Sequence, residues 1–281
     1  MENSKKYLRG IILSLKQKLG VEVFDATDYT SQDHYDRFRV IEKERQDYTA
    51  VLKSKIIKNP ESRYDIEYMT SEELYKLTKV TGSFEGTHYQ YYSPILCKEI
   101  MSKVFSEIRS HDFSAIRVLD VGCGNGTLLE KLYEFGLHRS NLQGIDISSK
   151  AVERVRESNF AGYYGRLQDK SFYGKELIFL SYFIDRDDDQ KSTLKTAVNS
   201  LISGGVLVLE GLFPCVLSDS NGVSYGIPNV TKGQDGVEDI LCVVEFCKTL
   251  GVTLQKLMVG QRLVYSLDGS EILPTYILVF N

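Results

Sequence analysis

The sequence predicts an α/β fold, in which helices flank a mostly parallel β-sheet that contains one antiparallel strand. From about residue 113, short β-rich runs alternate with amphipathic helical patterns, which is typical of a parallel sheet. The chain ends in two strand patterns joined by Asp268-Gly269, a pair that favours a tight antiparallel hairpin. A strand that ends at Val121 also runs directly into a glycine-rich loop and a new helix.

The individual elements of this α/β part follow from the hydrophobic period. Strand patterns lie at 116–121, 141–147, 161–165, 177–184 and 206–212, followed by the closing pair at 254–266 and 272–280. Helical patterns lie between them at 127–135, from the N-cap Ser148 to about 157, at 190–202 and at 238–250. The strand at 206–212 is the most apolar and is predicted to be the most buried.

The first part of the chain shows helical patterns instead. Its first helix has an apolar face and ends at Gly20, and the last helix of this part opens at Ser93-Pro94. The apolar face of the first helix is formed by Tyr7, Leu8, Ile11, Ile12, Leu15 and Leu19. We therefore predict two units, an N-terminal helical segment over 1–112 and an α/β domain over 113–281.

Composition excludes several classes of protein. Hydrophobic residues make up 42% and charged residues 26% of the 281, so long disordered tracts are not expected. The net charge of -4 and the lack of a basic block argue against nucleic acid as a partner. No stretch reaches the roughly 18 apolar residues of a membrane span. The five cysteines are odd in number and form no Cys-x-x-Cys pair, which predicts a reduced, cytoplasmic protein without a metal site.

The glycine-rich loop lies in the segment VLDVGCGNGTLL, at residues 118–129. Its glycines are at positions 122, 124 and 126. A nicotinamide-binding fingerprint would place its third glycine at position 127, where Thr127 stands, and Asp120 precedes the first glycine by two residues. Glycine lets a ligand approach the backbone closely, and the following helix supplies free N–H groups. The loop is therefore a candidate ligand cradle.

This segment resembles the first motif of class I S-adenosyl-L-methionine-dependent methyltransferases. A second feature of that family follows, because Asp146 ends the next strand pattern, where an acidic residue binds the ribose hydroxyls. The resemblance covers about 113 to the C-terminus and implies a Rossmann-like methyltransferase sheet. It further implies S-adenosyl-L-methionine as cofactor and S-adenosyl-L-homocysteine as product. A nucleotide-binding fold of another kind is the alternative.

The resemblance also implies roles for individual residues. Asp146 would hold the ribose, Ile147 would pack on the adenine, and Ser181 would line the cofactor site at the end of the fourth strand. The methionine part would be held by Asp120, Gly122, Cys123, Gly124, Asn125 and Gly126, with Cys123 as a small buried spacer and not a nucleophile. Arg166 stands where the family often has an acidic acceptor for the adenine amino group. That contact is therefore assigned to Leu167, Gln168 and Asp169.

The fourth strand is followed by an acidic run that should face the transferred methyl group, since ligands lie beyond the carboxyl ends of parallel strands. At least one of Asp185 and Asp187 is predicted to bind a cationic group of the methyl acceptor. The alternative is that the aspartates of this run cap the helix that begins near Gln190, which is the interpretation we favour for Asp188 and Asp189. For a hydroxyl acceptor, a tyrosine such as Tyr182 or a histidine would act on the nucleophile instead.

Residues 82–92 are rich in tyrosine and glycine and precede the α/β domain. In related small-molecule methyltransferases such a segment folds over the cofactor, so we predict that 1–112 acts as a lid. Its candidate substrate-covering residues are Phe84, His88, Tyr89 and Tyr91. The alternative is that these tyrosines pack between the helical layer and the sheet. The long loop at 213–236 is a candidate second wall of the acceptor pocket.

The acceptor is predicted less directly. The run that starts at Tyr182 is similar to bacterial natural-product methyltransferases. The overall layout resembles the bacterial enzymes that dimethylate the N-terminal arginine of plantazolicin, a thiazole/oxazole-modified peptide. This resemblance implies N-methylation of a short peptide. A small-molecule O- or C-methyltransferase and a non-catalytic protein that only binds the cofactor are the alternatives.

Overall fold

The structure of the protein is a computed structural model. The residues that it describes are 2–26, 58, 65, 94–108, 112–181, 187, 189–211, 237–266 and 269–281.

The described residues form one eight-stranded sheet in the spatial order β1-β7-β8-β6-β5-β2-β3-β4. The strands are β1 (Val23–Asp25), β2 (Val118–Val121), β3 (Leu142–Asp146), β4 (Ala161–Tyr164), β5 (Lys175–Ser181), β6 (Leu201–Gly211), β7 (Leu254–Ser266) and β8 (Gly269–Phe280). β8 runs antiparallel to both of its neighbours, β6 and β7, and every other pair is parallel. The predicted mostly parallel sheet with one antiparallel strand is thus confirmed.

Helices cover both faces of this sheet. They are α1 (Glu2–Leu19), α2 (Lys98–Phe105), α3 (Thr127–Glu134), α4 (Ser149–Glu157), α5 (Gln190–Ser200) and α6 (Val237–Thr249). Buried side chains of α1, α5 and α6 pack on one face, which we call the α6 face. Buried side chains of α2, α3 and α4 pack on the other, which we call the α3 face. Because strand side chains alternate between faces, the parity of a residue in its strand tells which face it joins.

Residues 2–25 belong to these layers. Helix α1 ends before Gly20 as predicted, and Leu8, Ile11 and Leu15 of its apolar face are buried, whereas Tyr7 is 42% exposed. Strand β1, which was not predicted, pairs in parallel with β7 at the edge of the sheet. The part of the predicted lid at 2–25 therefore packs against the α6 face and the sheet edge. Of the rest of 27–93, the structure describes Lys58 and Asp65.

One boundary differs from the prediction for a physical reason. Helix α5 ends at Ser200, and the chain then enters β6 at Leu201, whose Cα pairs with that of Lys175. A Cβ at Gly205 would lie 3.0 Å from the Lys175 carbonyl oxygen, so the glycines at this point allow the two strands to approach. The sequence pattern placed the start of this strand at 206, because glycines are read as breaks between elements.

Among the described residues, no helix combines the length and the apolar character that crossing a membrane requires.

Candidate active site

The candidate site lies at the carboxyl edge of the sheet, where the parallel strands β2, β3, β5 and β6 all end. The strand order changes direction beside β2, because the chain continues from β2 to β3 on one side and reaches β5 on the other. A crevice at this point is where open α/β sheets bind their ligands. The loop after β2, Asp146 at the end of β3 and Ser181 at the end of β5 therefore meet at one place.

The glycine loop between β2 and α3 is held by its own backbone. The N–H groups of Gly122 and Cys123 both donate to the Ile145 carbonyl, at 2.8 and 3.2 Å, and the Gly126 N–H donates to the Cys123 carbonyl at 2.9 Å. Gly122, Gly124 and Gly126 have φ angles of +73°, +52° and +86°. Such angles favour glycine, so the spacing of these glycines follows from the path of the loop.

The two later glycines of the loop face different surroundings. A Cβ at Gly126 would lie 3.1 Å from Cγ2 of Val155, so this side of the loop packs on α4. A Cβ at Gly124 would meet no heavy atom of the described residues within 4 Å. The open side at Gly124, together with the N-terminus of α3, whose N-cap Gly126 offers no side chain, leaves room and N–H donors for a bound group.

Asp146 connects this loop to helix α4. Its Oδ2 accepts a hydrogen bond from the Gly124 N–H at 2.9 Å, and its Oδ1 accepts one from the Ser148 N–H at 2.8 Å. Burial raises the pKa of Asp146, the backbone hydrogen bonds oppose this, and the charge of Asp65 adds to the increase. The carboxylate therefore lies between the glycine loop and α4, with part of its surface exposed.

Asp120 and Cys123 are the buried members of the motif. Asp120 is only 3% exposed, and burial, followed by the charge of Asp146, raises its pKa to about 8. Burial and the same neighbouring carboxylates raise the pKa of the Cys123 thiol well above its usual value. A Cβ at Gly144 would lie 2.7 Å from Cys123 Sγ, so the thiol fills space beneath β3. A protonated, packed thiol suits a spacer and not a nucleophile.

The residues assigned to the adenine lie at one end of the crevice. Ile147 is partly exposed, as a side chain available for packing should be. Leu167, Gln168 and Asp169 form a short 3-10 helix after β4, with Leu167 buried in the core of the α6 face. The side-chain amide of Gln168 donates to the hydroxyl of Thr193 and is thus held at α5. Asp169, by contrast, is exposed to solvent.

The acidic run after β5 divides into two environments. Asp189 is the N-cap of α5 and its Oδ1 accepts from the Ser192 N–H at 3.4 Å, as the capping interpretation predicts. Asp187 has a side chain only 4% exposed, and its Oδ1 lies 4.0 Å from Nη1 of Arg166. Arg166, which stands where the family has an acidic residue, is thus placed beside an acid of this run. Further candidates lie outside the described residues: Tyr182, Asp185, Phe84, His88, Tyr89 and Tyr91.

Two acidic residues at this edge were not found by sequence reasoning. Asp65 contacts the N-terminus of α4, where it accepts hydrogen bonds from the hydroxyls of Ser148 and Ser149 at 2.7 and 2.8 Å. Glu210 lies near the end of β6 and is fully buried. No signal in the sequence reveals the first contact, which spans 83 residues. The second could be suspected, because an acid inside so apolar a strand is uncommon. Within the described ranges, no group of three or more His, Cys, Asp or Glu side chains could hold a metal ion.

Comparison with known proteins identifies the domain. Residues 112–213 match a family model described as a methyltransferase domain. No curated protein matches the chain. Residues 112–213 are therefore a methyltransferase domain, an enzyme domain whose cofactor is S-adenosyl-L-methionine.

Similar solved structures are distant. A protein from Pyrococcus horikoshii, provisionally assigned as an RNA methyltransferase, has a TM-score of 0.47 at 14% identity, over 75% of this chain and 95% of that one. The magnesium protoporphyrin IX methyltransferase of Synechocystis, solved with bound S-adenosylmethionine, has a TM-score of 0.44 at 14% identity, over 76% and 93%. The precorrin-6Y C5,15-methyltransferase of Geobacter metallireducens has a TM-score of 0.42 at 13% identity, over 66% and 87%. The family match and the site geometry, not these structures, identify the domain.

Proposed function

We propose that the enzyme methylates the N-terminal amine of a small azole-modified peptide of the plantazolicin type. The observation that carries this proposal is the number of carboxylates at one edge of the sheet, which suits a cationic acceptor. They belong to Asp187 and Glu210, which lie beside Asp120 and Asp146, the two acids assigned to the cofactor. A small-molecule O- or C-methyltransferase is the alternative, and the nature of the product distinguishes the two.

The residues of the crevice fit the cofactor. Bound S-adenosyl-L-methionine supplies an electrophilic methyl group on a sulfonium. The open side of the loop at Gly124 and the free N-terminus of α3 would receive the methionine part, with Cys123 and Asn125 contributing backbone. Asp146 would accept hydrogen bonds from the ribose hydroxyls, and Ile147 would pack on the adenine. Positioning and exclusion of water are what this chain contributes to the transfer.

The buried carboxyl group of Asp120 should make both stability and binding of the cofactor's product depend on pH. Its pKa of about 8 in the folded protein lies above the value of 3.8 for an unperturbed group. Between these pH values the folded state holds a proton that the unfolded state releases, so stability falls as the pH rises towards 8. The ammonium group of the methionine part favours the ionised form of Asp120, and binding of the cofactor or its product should therefore release this proton. We expect the affinity for S-adenosyl-L-homocysteine to rise several-fold between pH 6.5 and pH 8.5 (on the order of one proton linked to binding).

The matched variant is Asp120→Asn, which keeps the shape and removes the titration. A comparison of calorimetric titrations of the two proteins across this pH range removes the contribution of the ligand's own ionisation, which is the same for both. The variant should bind more weakly at pH 8.5, show a flatter pH profile and unfold at a higher temperature than the wild type there. Parallel pH profiles for the two proteins would show that Asp120 does not face the ammonium group.

Asp65, in the N-terminal part of the chain, is connected to the proposed ribose site. Burial favours a higher pKa for Asp65, but the hydrogen bonds from Ser148 and Ser149 outweigh it and keep the pKa low. An ionised Asp65 at the N-terminus of α4 is favoured by the helix dipole. Because Ser148 also donates its N–H to Asp146, Asp65 lies two hydrogen bonds from the proposed ribose site. We propose that Asp65, through Ser148, holds Asp146 in position at the ribose site.

We therefore expect Asp65→Ala to speed the release of S-adenosyl-L-homocysteine about tenfold, since hydrogen bonds to a charged group contribute roughly 1.5 kcal/mol or more. Stopped-flow displacement measures this rate. Asp112→Ala is the control, because Asp112 accepts from the backbone and hydroxyl of Ser114 in the same way but precedes β2, at the opposite edge of the sheet. Equal release rates for the Asp65 variant and the wild type would contradict this role of Asp65.

The acceptor is tested directly with methyl-labelled S-adenosyl-L-methionine. The purified protein is incubated with arginine-starting azole peptides beside simple amines and phenols, and the products are read by mass spectrometry. A gain of one or two methyl groups on a peptide N-terminus is the expected result. Transfer to a hydroxyl or carbon, with the peptides unchanged, would replace the proposal with the small-molecule alternative.

A further inference from the structure

Glu210 and Ser181 are neighbours at the carboxyl edge of the sheet. Their Cα atoms are register partners on β6 and β5, and neighbouring strands lie about 4.8 Å apart. Glu210 is fully buried, although a carboxylate is rarely buried without a purpose such as pairing or ligand binding. The two residues therefore place a carboxylate beside a hydroxyl near the carboxyl edge of the sheet.

Both side chains lie on the same face as Asp120. Val206 and Val208, which alternate with the residues between them and share the face of Glu210, pack in the core of the α3 face. In the same way Leu177 and Phe179 share the face of Ser181 and pack in that core. Asp120 shares this face because Val118, two residues earlier on β2, packs there too. Asp120 is the register partner of Phe179, so Ser181 lies one pleat further towards the crevice. The carboxyl ends of three adjacent strands thus carry polar side chains on one face.

This row of polar groups has an open hydrogen-bonding position. The Ser181 Oγ is buried and has no hydrogen-bond partner within the described part of the chain. Buried hydroxyls without a partner are uncommon, and such a group calls for a specific explanation. The Ile95 N–H donates to Glu210 Oε1 at 3.5 Å, and Ile95 itself is 1% exposed. Residues 94–96 thus cover Glu210 from the side of the N-terminal segment.

We propose that Glu210 and Ser181 form the subsite for the nitrogen of the methyl acceptor. This inference rests on the proposed function, since it names the residues that receive an amine. Glu210 faces the amine and the Ser181 hydroxyl contacts it or the adjacent cofactor. Neither Asp185 nor Asp187, which follow β5, is required for this contact.

The chemistry of the transfer explains why a carboxylate belongs there. The lone pair of the amine forms the new nitrogen–carbon bond, while the electrons of the carbon–sulfur bond remain on sulfur. Positive charge therefore passes to the nitrogen, and the methylated ammonium later gives its proton to water. A carboxylate beside the nitrogen stabilises the charge that arrives, and it orients the amine before the transfer.

An analogue of the cofactor tests this subsite without knowledge of the acceptor. The probe carries an amino-bearing carbon in place of the methyl-bearing sulfur, so that an ammonium occupies the position of the transferred methyl group. S-adenosyl-L-homocysteine, which carries no charge at this position, is the reference ligand. Calorimetry gives the ratio of the two affinities for the wild type, for Glu210→Gln and for Glu176→Gln. Glu176 is the control because it pairs with Arg117 near the start of β5, at the opposite edge of the sheet.

We expect the wild type and Glu176→Gln to bind the ammonium probe more tightly than S-adenosyl-L-homocysteine. In Glu210→Gln the ratio of the two affinities should fall about tenfold, because one hydrogen bond to a charged group is lost. The affinity of that variant for S-adenosyl-L-homocysteine should stay unchanged. An unchanged preference in Glu210→Gln would overturn the inference. If that variant does not fold, Ser181→Ala decides, with a loss of preference supporting the subsite and no loss overturning it. Failure of the wild type to bind S-adenosyl-L-homocysteine would instead contradict the proposed function.

Discussion

Gly124→Ala is expected to reduce the affinity for S-adenosyl-L-homocysteine about 100-fold or more while the protein stays folded. The added methyl group meets no atom of the described part of the chain within 4 Å, so we expect it to project into the space that the cofactor would fill. The backbone penalty at a φ of +52° is about 1–2 kcal/mol, because only glycine adopts this conformation without strain. The variant therefore separates an effect on binding from an effect on folding.

Gly20→Ala is the matched control for this prediction. Gly20 has a φ of +67°, and its Cβ would also meet no described residue within 4 Å. It lies at the end of α1, away from the glycine loop. Both variants should lose a similar free energy of unfolding in urea titrations, whereas only Gly124→Ala should lose binding in calorimetry. If the two variants bound S-adenosyl-L-homocysteine equally well, the loop would not be the cradle of the cofactor.

Asp146→Ala is expected to weaken binding of S-adenosyl-L-homocysteine by about 100-fold, since each hydrogen bond to a charged acceptor contributes roughly 1.5–3 kcal/mol. The same change leaves the N–H groups of Gly124 and Ser148 without their acceptor, which should lower stability by about 1–3 kcal/mol. Fluorescence-detected thermal unfolding and calorimetric titration measure the two effects on one sample.

Asp146→Asn distinguishes these contributions. It retains one carbonyl oxygen of similar position and removes the charge, so we expect stability close to that of the wild type and an intermediate loss of affinity. A folded Asp146→Ala protein with unchanged affinity for S-adenosyl-L-homocysteine would show that the carboxylate serves only to connect the glycine loop to α4.

The sequence predicts those features that depend on residues close together in the chain. The glycines of the loop and Asp120 are all within seven residues, and their positive φ angles and turn hydrogen bonds are local consequences of that spacing. Ser148 is likewise predicted as an N-cap, and its hydroxyl accepts from the Ala151 N–H, three residues later. The alternation of strands and helices, together with the closing hairpin, was sufficient for the order of elements.

Features that depend on distant pairing could not be predicted in the same way. Strand β1 has three residues, too few for a period-two pattern, and its partner β7 begins more than 200 residues later. Asp65 contacts Ser148 across 83 residues, and no local pattern identifies an aspartate as a partner of a remote helix. Glu210 was missed for another reason. It is the last residue but one of a strongly apolar strand, and its position beside Ser181 is seen only once the register of β5 and β6 is known.

Calorimetric titration of the wild-type protein with S-adenosyl-L-homocysteine, with NAD as a parallel ligand, tests the central claim most directly. A site built from the loop at Gly124 and from Asp146 predicts saturable one-to-one binding of S-adenosyl-L-homocysteine at micromolar concentrations (about -8 kcal/mol) and no measurable heat with NAD. Binding of NAD without binding of S-adenosyl-L-homocysteine would contradict the account, because the same crevice would then serve a nucleotide-binding domain of another kind.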